Sequence, residues 1–294
     1  MKAVTKTRKA AVALTPRLKV AGARRIVVKV GTNVIMRDDG AVAVGVLYGI
    51  AESLAHLCRA GKQVLLVSSG AVGLGAQRLD LRARPSALVM IQACAAVGQS
   101  RLMTLYDDAF DKLGYRVAQV LLTEDDFLDS KRHANLRATL SELLELGVIP
   151  IINENDTVST VELEASRGGR RRVFGDNDKL SALVMTHVGA DLLVLLSDVD
   201  GLYTDDPQGA RRGTAGAATL VSESSGVTEI MRGFARGGNG RGRGGMETKL
   251  EAVRIANEAG RPAIIANGRT PAVLEKICAG ETIGTLFTPG EGRS

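Results

Sequence analysis

Short apolar runs of strand length alternate along the chain with longer stretches whose apolar residues recur every three or four positions. The runs are IVVKV (26–30), QVLLVS (63–68), RVAQVLL (116–122), GVIPII (147–152), DLLVLLS (191–197) and PAIIA (262–266). Each is rich in branched aliphatic residues and is flanked by turn-forming ones. Helix-length segments lie between them near 45–60, 86–113, 131–146, 177–188 and 246–260. In the last of these Met246, Leu250, Val253 and Ala256 share one face. Strands that are apolar throughout, separated by helices, predict an α/β fold with a mostly parallel central sheet covered by helices on both faces. Ligands of such sheets bind beyond the C-terminal ends of the strands.

The unusual polar motifs fall at those ends. Gly31 follows the first strand, SSGAVGLG (68–75) the second, INENDTV (152–158) the fourth and SDVDGLYTDDP (197–207) the fifth. FGDNDKLSALV (174–184) opens a helix some twenty residues after INENDTV. Together Asn153, Glu154, Asn155, Asp156, Asp176, Asn177 and Asp178 offer a dense set of donors and acceptors for a polar small molecule and for cations beside it. Turns and caps are the alternative use of such residues. Two lysines sharpen the picture. Lys29 interrupts the first strand, where an unpaired ammonium is costly unless it meets an anion; a snorkelling residue on an edge strand is the alternative. GGMETK (244–249) reads as a glycine turn opening a helix, with Lys249 in its first turn. A helix start with a lysine beside it suits an anion, and a solvated surface lysine is the plainer reading.

Composition narrows the classes. The 294 residues suffice for one large or two modest domains, and 45% hydrophobic with 24% charged residues describes an ordinary globular chain. Aromatic content of 3% without Trp argues against stacking platforms for single-stranded nucleic acid. No apolar run is read as a membrane span. The net charge of +6 is local: Lys2, Lys6, Arg8, Lys9, Arg17, Lys19, Arg24 and Arg25 occupy residues 1–25 without an acid. Removing those eight from 38 basic residues leaves 30 against 32 acidic ones, a net of −2, so the body is not basic. Residues 1–25 are expected to form a flexible basic extension in which Pro16 breaks any helix. A mitochondrial-type presequence is the alternative, and no apolar segment of a secretory signal follows. Cys58, Cys94 and Cys278 have no disulfide or metal-ligand spacing, which points to a reducing compartment. His56, His133 and His187 form no triad or metal pattern and read as surface or packing residues. SRGGRRR (166–172) and RGGNGRGRGG (236–245) are too short for RNA-binding tracts and read as loops flanking a site.

VVKVGT, VSSGAVGLG, AAVGQSRLM, INENDTV, FGDNDKLSALV, SDVDGLYTDDP and GGMETK occur in the order seen in the amino-acid kinase family. INENDTV with FGDNDKLSALV and GGMETK resembles its glutamate 5-kinase branch, and the resemblance covers roughly 26–290. It implies a three-layer αβα sandwich with an N-terminal lobe (about 26–189) for glutamate and a C-terminal lobe (about 190–290) for ATP. It also implies transfer of the γ-phosphoryl group of ATP, with Mg²⁺, to the glutamate side-chain carboxylate, the first step of proline biosynthesis. By resemblance Lys29 and Lys249 approach the transferred group from the two lobes, and Asp178 holds both lysines in place. Ser69, Gly70, Asp156 and Asn177 match positions that bind the amino acid. Lys29, Gly31, Thr32, Ser197, Asp198 and the segment Arg243, Gly244, Gly245, Met246, Glu247, Thr248, Lys249 match the nucleotide site. Backbone N–H groups near Gly31, Thr32 and Gly70 are expected to approach phosphate and substrate. No protein-held metal site, nucleic-acid partner or membrane is expected. Proline as feedback inhibitor, a homo-oligomer, a cytoplasmic location and a separate γ-glutamyl phosphate reductase are implied.

Three features depart from the family pattern. Arg243 stands where Thr is usual, SRGGRRR adds length before FGDND, and the C-terminal RNA-binding-like domain and the fused reductase of some members do not follow. Two alternatives stay open: a related kinase with a different acceptor, and a catalytically silent amino-acid sensor. The joint presence of Lys29, Asp178 and Lys249 argues against the sensor.

Overall fold

The computed structural model describes residues 15–81, 83, 85–123, 125–158, 177–205, 218–229, 231 and 243–290. The leader before Thr15, Asp176, the 166–172 segment and 236–242 lie outside the described residues, and of Arg243 and Gly244 only the backbone is described. The described strands are β1 (Arg25–Val30), β2 (Gln63–Ser68), β3 (Arg116–Leu122), β4 (Val148–Glu154), β5 (Leu192–Ser197), β6 (Glu223–Ser225), β7 (Ala263–Asn267) and β8 (Thr285–Thr288). The helices are α1 (Pro16–Ala21), α2 (Thr32–Ile35), α3 (Val44–Arg59), α4 (Ala71–Arg78), α5 (Leu88–Asp111), α6 (Asp125–Leu128), α7 (Ser130–Glu145), α8 (Asn177–Val188), α9 (Arg243–Glu258) and α10 (Val273–Cys278).

One eight-stranded sheet runs β3-β4-β2-β1-β5-β7-β8-β6. The six strands expected from the sequence pair parallel with one another. β1 lies in the middle, with Lys29 opposite Val67 of β2 and Leu195 of β5, so Lys29 is not an edge residue. Period-two alternation then divides the core. Ile26, Val28 and Val30 pack with Leu54, Leu66, Leu102, Tyr106 and Phe110 on one face. Val27, Leu65 and Leu193 pack with Leu180, Val184, Leu250 and Val253 of α8 and α9 on the other. Lys29, two residues after Val27, shares the α8/α9 face.

Several expectations are corrected. β6 and β8 were not legible as strands, and β8 runs antiparallel to β7. Close approach permits that pairing: Gly284 has φ +66°, and a Cβ there would sit 2.2 Å from the Ile265 carbonyl oxygen. β4 continues through Asn153 and Glu154, so the first half of the polar motif is buried strand. SSGAVGLG runs from the strand end into a helix: residues from Ala71 onward form α4, which packs tightly on α5. A Cβ on Gly75 would lie 1.8 Å from the Cys94 carbonyl oxygen, and one on Gly98 would lie 1.8 Å from that of Ala71. α5 is long and apolar enough, by length and composition alone, to cross a membrane, contrary to the sequence reading. Here its Leu102, Tyr106 and Phe110 fill the core.

Pro16 opens α1 rather than breaking it, because the first helical position needs no N–H. The adjacent Arg17 is buried and donates to the carbonyls of Ser222, Ile283 and Gly284 at 2.6, 2.6 and 3.0 Å. Part of the basic leader is therefore tied to the β6 and β8 ends of the sheet.

Candidate active site

Three charged side chains meet in the layer between the sheet and helices α8 and α9. Asp178 lies in the first turn of α8, where the helix dipole favours an anion, and is 1% exposed. Its Oδ1 is 2.6 Å from Lys29 Nζ and its Oδ2 is 3.2 Å from Lys249 Nζ. Both lysines are also buried, at 5% and 7% exposure. Burial alone pushes the Asp178 carboxyl up. The charges of Lys29 and Lys249, with the Lys29 and Thr248 contacts, outweigh it and hold the group at about 2. The cluster thus carries a net positive charge.

Helix α9 delivers Lys249 differently from the sequence expectation. The helix begins at Arg243, so the glycines lie inside its first turn and Lys249 sits one turn deeper. Lys249 Nζ donates to the Gly245 carbonyl at 2.9 Å as well as to Asp178. An ammonium has three donors, and two are directed into this fixed frame. Thr248 Oγ1 lies 2.9 Å from Asp178 Oδ2 and 3.1 Å from the Gly245 oxygen, and its single proton serves one of them at a time.

A second cluster forms at the ends of β2 and β4, against the start of α8. Asn177 Nδ2 lies 2.9 Å from Ser69 Oγ, 3.0 Å from Asn153 Oδ1 and 3.2 Å from the Ser68 carbonyl oxygen. Asn153 Nδ2 donates to Gln99 Oε1 at 2.8 Å. Ser68 Oγ and the buried Tyr106 hydroxyl are 2.8 Å apart, and burial pushes that phenol up to about 12, so it stays neutral. Gly70 caps α4 with φ +106°, a conformation suited to glycine. Asp156 is half-buried in the turn after β4, where the Asn155 N–H donates to the Leu122 carbonyl at 2.8 Å.

The β1 and β5 ends are stitched together on the other side. Ser197 Oγ donates to Asp198 Oδ1 at 3.1 Å, and Asn33 Nδ2 to Asp198 Oδ2 at 3.0 Å. Asn267 at the end of β7 donates to Asp200 Oδ1 at 2.9 Å, and Arg269 to the Asn33 carbonyl at 2.7 Å. The Gly31 N–H donates to the Leu196 carbonyl at 3.1 Å. Thr32 is exposed at the start of α2.

Asp178, Lys29 and Lys249 are therefore brought together, as are Asn177 and Ser69. Ser197 and Asp198 form part of the β1/β5 junction. Gln99, Asn33, Asn267 and Arg269 had no assigned role, and Asn153 was read only as one member of the polar set. Asn153 and Gln99 sit inside quoted motifs, and Asn267 follows a recognisable strand, where the strand-end rule could have found it. Asn33 and Arg269 carry no sequence signal of their own.

Comparison with known proteins shows the family and the fold. The sequence profile of the amino acid kinase family matches residues 24–267. A glutamate 5-kinase of Gloeobacter violaceus is 49% identical over 263 residues, which cover 89% of this chain and 68% of that protein. Glutamate 5-kinases of Geobacter sp. strain M21 and Nostoc sp. strain PCC 7120 are each 46% identical over 267 residues, covering 90% of this chain and 68% of theirs. The crystal structure of a UMP kinase from Bacillus anthracis superposes with a TM-score of 0.59 at 16% identity, covering 91% of this chain and 96% of that one, and shares the fold. The chain belongs to the amino acid kinase family, in its glutamate 5-kinase branch.

Proposed function

We propose that the chain phosphorylates the side-chain carboxylate of L-glutamate from ATP, forming γ-glutamyl phosphate for proline biosynthesis. The observation that carries this reading is the buried Lys29–Asp178–Lys249 cluster. In the transfer a carboxylate oxygen attacks the γ-phosphorus, the bond to the bridging oxygen breaks, and the electron pair leaves on ADP. The two lysines meet the charge that spreads over the transferring group, and Asp178 fixes their positions. A glutamate carboxylate is already ionised at neutral pH, so no proton has to be removed. Asp178, whose oxygens face Lys29, Lys249 and Thr248, is then not needed as a base.

Ser69, Gly70, Asp156 and Asn177 would hold glutamate on the N-terminal lobe, with Asp156 suited to its α-ammonium. Gly31, Thr32, Ser197, Asp198 and the 243–249 segment would hold ATP on the C-terminal lobe. Mg²⁺ fits as a cation carried on the nucleotide phosphates, where it would neutralise their charge. The Asp178 oxygens are already committed to Lys29, Lys249 and Thr248, which makes this carboxylate an orienter of lysines rather than a metal ligand. A cytoplasmic homo-oligomer inhibited by proline and followed by a separate reductase completes the proposal.

Trapping the acyl phosphate with hydroxylamine tests it against L-glutamate, N-acetylglutamate and aspartate. Hydroxamate from L-glutamate alone is expected. Product from another acceptor would move the substrate assignment, and silence with all three in a protein that binds ATP would favour a sensor.

A further inference from the structure

We propose that Gln99 is a positioning residue for the amino-acid acceptor, acting through a chain of amides whose orientation the backbone dictates. The proposal rests on the reading that Ser69 and Asn177 hold that acceptor.

The amide chain runs Gln99, Asn153, Asn177, Ser69, and its polarity can be derived from fixed groups. The Glu154 backbone N–H points at the Asn153 side chain at 2.9 Å and can only donate, so the Asn153 atom there is oxygen. Asn153 therefore turns its NH₂ toward Gln99, and the Gln99 atom 2.8 Å away must be Oε1. At the other end the Ser68 carbonyl can only accept, so the Asn177 atom 3.2 Å from it is nitrogen. The same NH₂ meets Asn153 Oδ1 at 3.0 Å and Ser69 Oγ at 2.9 Å. Two backbone groups from different strands thus agree on a single orientation for three side-chain amides.

Gln99 bears a cost for its place in this chain. Its residue is 9% exposed, and with Oε1 fixed on Asn153 its Nε2 is turned away, buried and without a hydrogen-bond partner among the described residues. It lines a cleft of about 610 Å³ between α5 and β3, beside Met103, Val117 and Gln119, that reaches Thr157 in the turn after β4. A methionine would fill the same space without a stranded donor. What methionine cannot supply is the acceptor for Asn153 Nδ2. Without it that NH₂ is left unpaired or the Asn153 amide turns over. A turned amide opposes two donors, Glu154 N–H and Asn177 NH₂, and would displace Asn177 from Ser69. Gln99 can be delivered here because Gly98, its neighbour, lets α5 touch α4 and brings this turn of the helix against the sheet.

Gln99→Met and Gln99→Glu test the idea together, since Glu keeps an oxygen facing Asn153 and Met does not. The readouts are KM for glutamate, KM for ATP, kcat and the melting temperature of each full-length enzyme. Gln99→Met is expected to raise the glutamate KM roughly ten-fold, the scale of one stranded buried donor. ATP KM should stay within two-fold, and Gln99→Glu should recover at least half of the loss on a logarithmic scale. An unchanged glutamate KM in Gln99→Met, equal shifts in both KM values, or no recovery in a folded Gln99→Glu would overturn the proposal. A wild-type enzyme that ignores glutamate would instead remove the reading beneath it.

Discussion

Replacing Asp178 by asparagine keeps the shape of the side chain and removes the one charge that two buried lysines share. The expected cost can be worked in two ways. A carboxyl held at about 2 against an ordinary 3.8 corresponds to about 2 kcal/mol of stability at neutral pH. Deleting one member of a buried ion pair typically costs about 3–5 kcal/mol, because the remaining charge is stranded. Here two ammonium groups, 5% and 7% exposed, are stranded together, so the larger figure should govern. That amounts to a fall in Tm on the order of 10 °C. Turnover should fall about 10²–10³-fold or more, as for loss of a transition-state donor, because neither lysine keeps its place. The pH dependence has a definite sign. The Asp178 carboxyl is depressed on folding, so its stabilisation is complete above about pH 4. It is lost as the pH falls through about 2. The Tm gap between wild type and Asp178→Asn should therefore be widest near neutrality and begin to close between pH 4 and 3. Thermal melts across that range, with initial rates at saturating substrates, decide the matter. An Asn variant within 1 kcal/mol of wild type and within ten-fold in turnover would refute the reasoning.

Three further outcomes are expected. Lys249→Met should lower kcat about 10²–10³-fold while changing the glutamate KM only slightly; steady-state kinetics showing the reverse pattern would place Lys249 on the ground state. Asp156→Ala should weaken glutamate binding with little effect on ATP, and calorimetric titration showing unchanged glutamate affinity would remove Asp156 from the acceptor site. Gly98→Ala should destabilise by roughly 3 kcal/mol or more, since its Cβ would lie 1.8 Å from a backbone oxygen of α4. A circular-dichroism melt matching wild type would contradict that packing.

The parts of the molecule that were legible in the sequence are those governed by local pattern. Five of the six expected strands announced themselves because both faces are buried, as in Leu192–Ser197, whereas β3 at the sheet edge is partly exposed and was legible from its branched aliphatic residues. Lys29 stood out as a charge inside an apolar strand, and Asp178 as one of a dense polar set whose role came from the family resemblance. β8 was missed because Thr285–Thr288 is only four residues long and owes its pairing to Gly284, a tertiary requirement. α4 was hidden by its glycines, which disfavour a helix locally but are needed for contact with α5. Pro16 misled for a related reason: its effect depends on whether it falls inside a helix or at its first position. Gln99 was invisible as a site residue because its partner, Asn153, lies 54 residues away. The orientation that matters is fixed by the backbone of β2 and β4.

The central claim is that a glutamate side-chain oxygen attacks the γ-phosphorus, and isotope transfer tests it most directly. Glutamate labelled with ¹⁸O in the side-chain carboxylate would be turned over with ATP and Mg²⁺. γ-Glutamyl phosphate cyclises when its α-amine attacks the acyl carbon, releasing phosphate with the former carboxylate oxygen still attached. Mass spectrometry of the released phosphate is expected to show one ¹⁸O per molecule formed in excess over a glutamate-free control. Phosphate free of ¹⁸O, formed at a rate independent of glutamate, would contradict the account.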